Sequence, residues 1–121
     1  MDLSALRQQV MFQIGGDADD VKDFLPHLND YINEAYDRLA HAAYGRHVCM
    51  EDEEFQPLHH EISRPNLPDW THRAIADWAT WLLCRNGNAQ RQNRGYAFRK
   101  AFEDVESRLR GAAKYIKHIP L

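Results

Sequence analysis

The chain has 121 residues, of which 44% are hydrophobic and 27% charged, and its formal net charge is −3. This length and composition are typical of one globular domain that buries a core without metals or disulfides. No apolar run approaches the length of a membrane span, and the acidic, amphipathic start MDLSALRQQV is not expected to be a signal peptide.

Two amphipathic helices are predicted in the first third of the chain. In the first, near residues 2–14, one stripe is formed by Leu3, Leu6, Val10 and Ile14. Glycines 15 and 16 end it, and an acidic turn, GGDADDVKD, follows. The second helix is predicted near residues 25–44 and is ended by Gly45; its stripe is formed by Leu28, Ile32, Ala35, Leu39 and Ala42.

Residues 45–67 show no helical period and carry two prolines. This excursion is predicted to be a long loop or a small β-hairpin. Connections of this length are usually functional or mobile, so we expect it to be mobile in the free protein.

A third helix, near residues 69–86, holds all three tryptophans. At 100° per residue, Trp70, Trp78 and Trp81 fall within an arc of about 80°. The helix is apolar around most of its circumference, which predicts a central position and core packing for at least two of them. Trp70, at the first turn, is the one expected to contact a partner. Gly87 is expected to be left-handed and to end the helix.

The fourth helix, near residues 89–116, combines a heptad-like seam with a basic outer face. Its seam is formed by Phe98, Phe102, Val105, Leu109, Ala112 and Ile116. The apolar tail KYIKHIPL is expected either to dock onto another chain or to close the core of its own. The predicted fold class is therefore all-α: a four-helix bundle-like single domain, 1–121, with the excursion between helices 2 and 3.

Few residues form a pattern typical of a catalytic or metal-binding site. The histidines of HHE at 59–61, with His47 and Cys49 upstream, lack a metal-ligand spacing and are interpreted as a polar loop. Cys49 and Cys84 have no CxxC pairing, which predicts two reduced thiols in a cytosolic protein, with Cys84 buried. We expect no catalytic, cofactor-binding or metal-binding residue, and no enzyme.

Charge divides the chain into an acidic and a basic part. Residues 1–68 carry 13 acidic against 5 basic residues, a net charge of −8, whereas residues 69–121 carry 5 against 10, a net charge of +5. Two copies with such halves can be complementary. The basic helix also allows an alternative, a DNA-binding module, although acidic residues interrupt its basic face; these are Glu103, Asp104 and Glu106.

Two stretches carry a resemblance to a known family: FLPHLNDYINEAYDRLAHAAYG in the second helix and LPDWTHRAIADWATWLLCRNGNAQRQNRG around the third. They resemble the head–tail connector proteins of tailed bacteriophages and prophages, also called adaptor, head-completion or neck proteins. In that family the second helix reads like "hLxxhINEAxxxL", with h apolar; the matching residues are Leu28, Tyr31, Ile32, Asn33, Glu34, Ala35 and Leu39. Leu67, Pro68 and Asp69 match the opening of the family's third helix, and Gly87 and Asn88 match its closing turn.

The resemblance implies a structural virion protein without a catalytic site. Such proteins form a ring of about a dozen copies, a closed assembly of heterologous contacts. The ring joins the portal to the tail or stopper protein around a DNA channel. The implied partners are thus further copies, the portal and the tail or stopper, without a membrane. The implied locations are the head–tail junction of the virion and, during assembly, the host cytoplasm.

The charge division suggests which residues connect neighbouring subunits. We hypothesise that Asp17, Asp19 and Asp20 of the acidic turn face the basic helix of a neighbour. The basic residues of this predicted interface are Arg91, Arg94 and Arg99. Two alternatives remain: a helical DNA-binding or regulatory module of prophage origin, and a small enzyme or ligand-binding bundle.

Overall fold

Four α helices form the body of the protein. The computed structural model describes residues 1–117, without the side chains of residues 17, 18 and 113–117. The helices are α1 (Leu3–Ile14), α2 (Leu28–Tyr44), α3 (His72–Cys84) and α4 (Ala89–Lys117), with short 3-10 helices at Gly15–Val21, Leu25–His27 and Asp69–Thr71. Within residues 1–117, the prediction of an all-helical fold with four helices is confirmed. Residues 1–117 contain no strand, and residues 45–68 are irregular.

The starts and ends of the first two helices follow the local sequence. The carboxylate of Asp2 accepts a hydrogen bond from the Ala5 backbone N–H at 2.8 Å and caps α1. Gly15 and Gly45 end α1 and α2 with φ of +61° and +68°, conformations that favour glycine.

The prediction that at least two of the three tryptophans pack in the core is confirmed. Trp81 is buried, Trp78 packs partly buried against the core, and Trp70 is 51% exposed. The helical count of 100° per residue does not apply to Trp70, because α3 begins only at His72 and Trp70 lies in the preceding 3-10 turn.

The expectation of a left-handed Gly87 is wrong, since its φ is not positive. A Cβ at Gly87 would lie 2.6 Å from Cδ of Arg91, so a glycine there leaves room for the Arg91 side chain.

Contacts between side chains fix the relative directions of the helices. Trp78 lies against Phe102, with ring centroids 4.8 Å apart, and Trp81 stacks on Tyr96 at 5.0 Å, so α3 and α4 are antiparallel. Gly95 permits this close approach: a Cβ there would lie 2.7 Å from Cβ of Cys84.

The other two helices are oriented by polar contacts. The Met1 nitrogen lies 2.8 Å from Nδ1 of His72, and Gln13 bonds to Asp77, so α1 runs parallel to α3. Arg38 of α2 bonds to Glu106 of α4. Glu34, one turn before Arg38, bonds to Trp78, which packs on Phe102, one turn before Glu106. The two helices therefore run parallel.

One hydrophobic cluster is shared by all four helices. The predicted stripes of α1 and α2 lie in it, confirming both; the buried stripe residues are Leu3, Leu6, Val10, Ile14, Leu28, Ile32, Ala35, Leu39 and Ala42. In α4 the seam is buried at Phe102 and Leu109 and partly buried at Phe98 and Val105. Ala112 is exposed, so the predicted seam is not buried at this residue; the side chain of Ile116 lies outside the described residues.

Hydrogen bonds from α2 hold the excursion. Asn33 donates from its amide to the Leu58 carbonyl at 3.1 Å and accepts from the Leu58 N–H at 2.7 Å. The Tyr36 hydroxyl accepts from the backbone N–H of Asn66 at 2.9 Å. The excursion also buries Phe55, Leu58 and Leu67 in the core. These contacts argue against the free movement expected from the sequence.

Candidate functional site

The candidate site comprises the acidic turn and the beginning of α4. Asp20 of the turn forms an ion pair with Arg91 in the first turn of α4, and both belong to the same chain. The Arg91 side chain is 9% exposed and that of Asp20 is 63% exposed. One predicted intersubunit pair is therefore formed within the subunit, where it ties the acidic turn to α4.

The turn between α3 and α4 presents this arginine. The Asn88 side chain accepts a hydrogen bond from the Arg91 backbone N–H at 2.9 Å and so caps α4. The Gln92 amide donates to the carbonyls of Arg85 and Gly87, each at 3.1 Å, which holds the turn to the helix. A polar depression of about 110 Å³ lies beside this turn, lined by Asn88, Gln90, Arg91 and Arg94.

The remaining residues of the predicted interface lie in different environments. Asp19 is exposed, and the side chain of Asp17 lies outside the described residues. Arg94 is exposed at the rim of the polar depression. Arg99 bonds to Glu103 one turn later, at 2.7 Å, and its guanidinium lies 5.5 Å from the Trp81 ring. The contact between subunits stays a prediction.

Trp70 presents a large aromatic surface at the N-terminal end of α3. It is 51% exposed, next to Asp69, whose carboxylate lies 3.5 Å from Arg64 of the excursion. An exposed tryptophan beside polar groups is typical of a residue that anchors a partner. The docking role predicted for Trp70 remains a prediction.

A charged cluster between three helices was missed by the sequence reasoning. The Arg38 guanidinium makes two bonds to Glu106, at 2.9 and 3.0 Å, and lies 4.3 Å above the Trp78 ring and 5.0 Å from Phe102. Trp78 donates from its indole to Glu34 at 3.2 Å. Spacing along the chain cannot reveal such a pair, because its members lie 68 residues apart.

Two titratable groups are buried near α3. Burial raises the pKa of Asp77, while the hydrogen bond from the Gln13 amide at 2.8 Å opposes that rise. Burial lowers the pKa of His72, whose Nε2 lies 2.9 Å from the Leu67 carbonyl. The sequence analysis did not identify Asp77. The signal that could have done so is a single carboxyl group within a helix that is apolar around most of its circumference.

Within residues 1–117 no group of three or more His, Cys, Asp or Glu side chains is arranged to hold a metal ion. His59 and His60 are exposed, as is Cys49, whereas Cys84 is buried as predicted. None of the described helices combines the length and apolarity needed to cross a membrane.

Comparison with known proteins adds no relative. No protein-family model, curated protein or solved structure matches this chain.

Proposed function

We propose that this chain is a structural subunit of the head–tail junction of a tailed bacteriophage or prophage. In this proposal the helices form a bundle, and copies form a ring that joins the portal to the tail or stopper around a DNA channel. The subunit acts by binding and not by catalysis. The proposal draws on the sequence resemblance in the second and third helices.

The observation that supports the proposal most is the shape of α4. This helix has 29 residues, compared with 13 in α3, and Leu109 is its last buried residue among those whose side chains are described, up to residue 112. The described residues that follow it, Arg110, Gly111 and Ala112, are all exposed, which suits a subunit that offers this surface to a neighbouring protein. The half-exposed Trp70 adds an aromatic surface for contact.

The decisive experiment mixes the purified chain with the portal protein of the phage or prophage from which the chain comes. We expect electron microscopy to show rings of the chain on the portal. Trp70→Ala should weaken binding to the portal at least tenfold, because a half-exposed tryptophan is a common hot spot. Met50→Ala is the matched control, since Met50 is also an exposed apolar residue.

Two results would contradict the proposal. The first is that the chain neither binds the portal nor forms rings on it. The second is affinity for duplex DNA that falls steeply with salt, which would favour the DNA-binding module.

A further inference from the structure

A polar pocket of about 240 Å³, here called the excursion pocket, lies between two parts of the excursion, residues 53–58 and 63–64. It is also lined by Tyr36 of α2, which is only 1% exposed. The Tyr36 hydroxyl accepts a hydrogen bond from the Asn66 N–H at 2.9 Å, but among the described residues no atom accepts its own proton. Because a buried donor without an acceptor is unfavourable, the pocket favours an occupant that brings an acceptor.

Two charged side chains of the excursion pocket are available to a partner. The Glu53 carboxylate is exposed and makes no ion pair within the described part of the chain, whereas the Glu54 carboxylate is bonded to Arg46. Arg64 is 62% exposed, and its contact to Asp69, at 3.5 Å, is longer than the usual hydrogen bond between charged groups. An occupant with one cation and one carboxylate therefore complements the pocket.

The outer face of α4 carries such a pair of charges. Along this face lie Ala97, Ala101, Asp104 and Arg108, at steps of four, three and four residues, and all four are exposed. Neither Asp104 nor Arg108 forms an ion pair with any residue that the structure describes. The two lie one helical turn apart, so both can contact the same partner. The small side chains of the two alanines let that partner approach the helix closely.

The pocket and the outer face of α4 lie on opposite sides of one subunit. Arg38 and Glu106 are bonded, so they mark the side on which α2 and α4 face each other. Tyr36 is two residues from Arg38, about 200° around α2, and therefore points away from α4. Asp104 and Arg108 are each two residues from Glu106 and point away from α2 for the same reason. The outer face of a subunit therefore cannot occupy the pocket of the same subunit.

The two surfaces lie at nearly the same level along the helices. The helices α2 and α4 run parallel, and Arg38 is level with Glu106. At about 1.5 Å per residue, Tyr36 and Asp104 each lie about 3 Å before this pair, and Arg108 lies about 3 Å after it. Copies can therefore join side by side without a shift along the helices. Repeated contacts between two different surfaces form a ring when the rotation from copy to copy closes.

We propose that the excursion pocket of one copy binds the outer face of α4 of a second copy. Arg108 of the second copy pairs with Glu53. Asp104 of the second copy pairs with Arg64 and brings the acceptor that the buried Tyr36 hydroxyl lacks. This inference deepens the proposed ring by naming its contact, and it rests on the proposed function only for the closure of the ring.

A charge-swap mixture of full-length chains tests the contact. We expect the wild type to self-associate with rising concentration, from micromolar to millimolar, in analytical ultracentrifugation, and to do so more weakly in high salt. Glu53→Lys and Arg108→Glu should each weaken self-association at least tenfold, because each brings like charges together. When the two variants are mixed in equal amounts, every contact between unlike copies joins opposite charges. Association of the mixture should therefore return to near the wild-type level.

Matched controls separate the contact from a mere change of net charge. Glu51→Lys and Arg85→Glu make the same changes of charge at exposed residues that belong to neither surface, and each should associate like the wild type. Circular dichroism checks that every variant is folded.

The outcomes distinguish this contact from the proposed function. A wild type that stays monomeric at millimolar concentration, full association of either single variant, or a mixture without recovery would overturn the contact. If copies associate as expected but form no ring on the portal, the contact stands and the connector function fails. If rings form on the portal and both single variants form them equally well, the connector function stands and the contact fails.

Discussion

Asp77 is a buried carboxyl within the interface between α1 and α3. Its partner is Gln13, whose amide donates to the carboxylate at 2.8 Å and whose carbonyl accepts from the Thr80 hydroxyl at 2.5 Å. Because burial raises the pKa of Asp77, its ionised form is less favourable in the folded state than in the unfolded chain. The ionised carboxyl therefore lowers the free energy of unfolding at neutral pH.

We expect Asp77→Asn to raise the thermal midpoint at pH 7. Asparagine retains an oxygen that accepts from Gln13 but carries no charge to bury. The advantage over wild type should shrink as the pH falls through the raised pKa of Asp77, because the wild-type carboxyl then binds a proton. Thermal unfolding followed by circular dichroism from pH 7 to pH 4 measures this. A variant less stable than wild type at pH 7 would show that the ionised form is favoured by the fold.

His72 has the opposite dependence on pH. Burial lowers its pKa, so the folded state disfavours the protonated imidazole. Its contribution to stability should be complete above about pH 6.5, the unfolded value, and should decline as the pH falls below it. His72→Gln should lose this part of the pH dependence. His59→Gln, an exposed histidine of the excursion, is the control and should keep the wild-type slope.

At the scale of secondary-structure elements, α2 forms hydrogen bonds both to the excursion and to α4. Its polar residues point to two neighbours: Asn33 clamps both backbone groups of Leu58, and Arg38 pairs with Glu106. A helix with these two roles connects segments that lie far apart in the sequence. Each role can be removed separately.

Asn33→Ala should destabilise the protein by about 2 kcal/mol, since it leaves the two backbone groups of Leu58 without their side-chain partner. The loss should be accompanied by faster amide exchange at Leu58, measured by NMR. Gln56→Ala, an exposed change in the same excursion, is expected to lie within about 0.5 kcal/mol of wild type. Rapid exchange at Leu58 in the wild type would instead support the mobile excursion expected from the sequence.

Arg38→Ala should cost about 2–3 kcal/mol of unfolding free energy. It removes two hydrogen bonds to Glu106, whose side chain is only 11% exposed, together with the contact to the Trp78 ring. Arg99→Ala is the matched control, because the Arg99–Glu103 pair is exposed and such pairs contribute less than about 1 kcal/mol. Urea unfolding distinguishes the two; equal losses would contradict a structural role for the cluster.

At the scale of the whole molecule, local patterns predicted the elements but not their partners. The sequence alone predicted the buried face of α1, from Leu3 to Ile14, and the end of α2 at Gly45. Both features depend only on residues that are close together in the sequence. Trp70 was correctly set apart from the two core tryptophans, but the start of α3 at His72 was missed, because the change from 3-10 to α helix has no periodic signature. In the candidate site, the acidic turn and Arg91 were identified, but composition cannot tell a contact within one chain from a contact between two.

The pairing of Asp20 with Arg91 can be assigned by a charge-swap cycle. The single variants Asp20→Arg and Arg91→Asp should each destabilise the chain, and the double variant should regain about 1 kcal/mol, the usual worth of a partly exposed pair. If the pair lies within one subunit, as in the structure, the regained stability is the same at micromolar and at hundredfold higher protein concentration. If instead the pair joins neighbours, recovery appears only at high concentration and is accompanied by self-association. Urea unfolding at both concentrations, with sedimentation of the same samples, therefore determines where the acidic and basic parts of the chain attract each other. With net charges of −8 and +5, they pair either within one subunit or between two subunits.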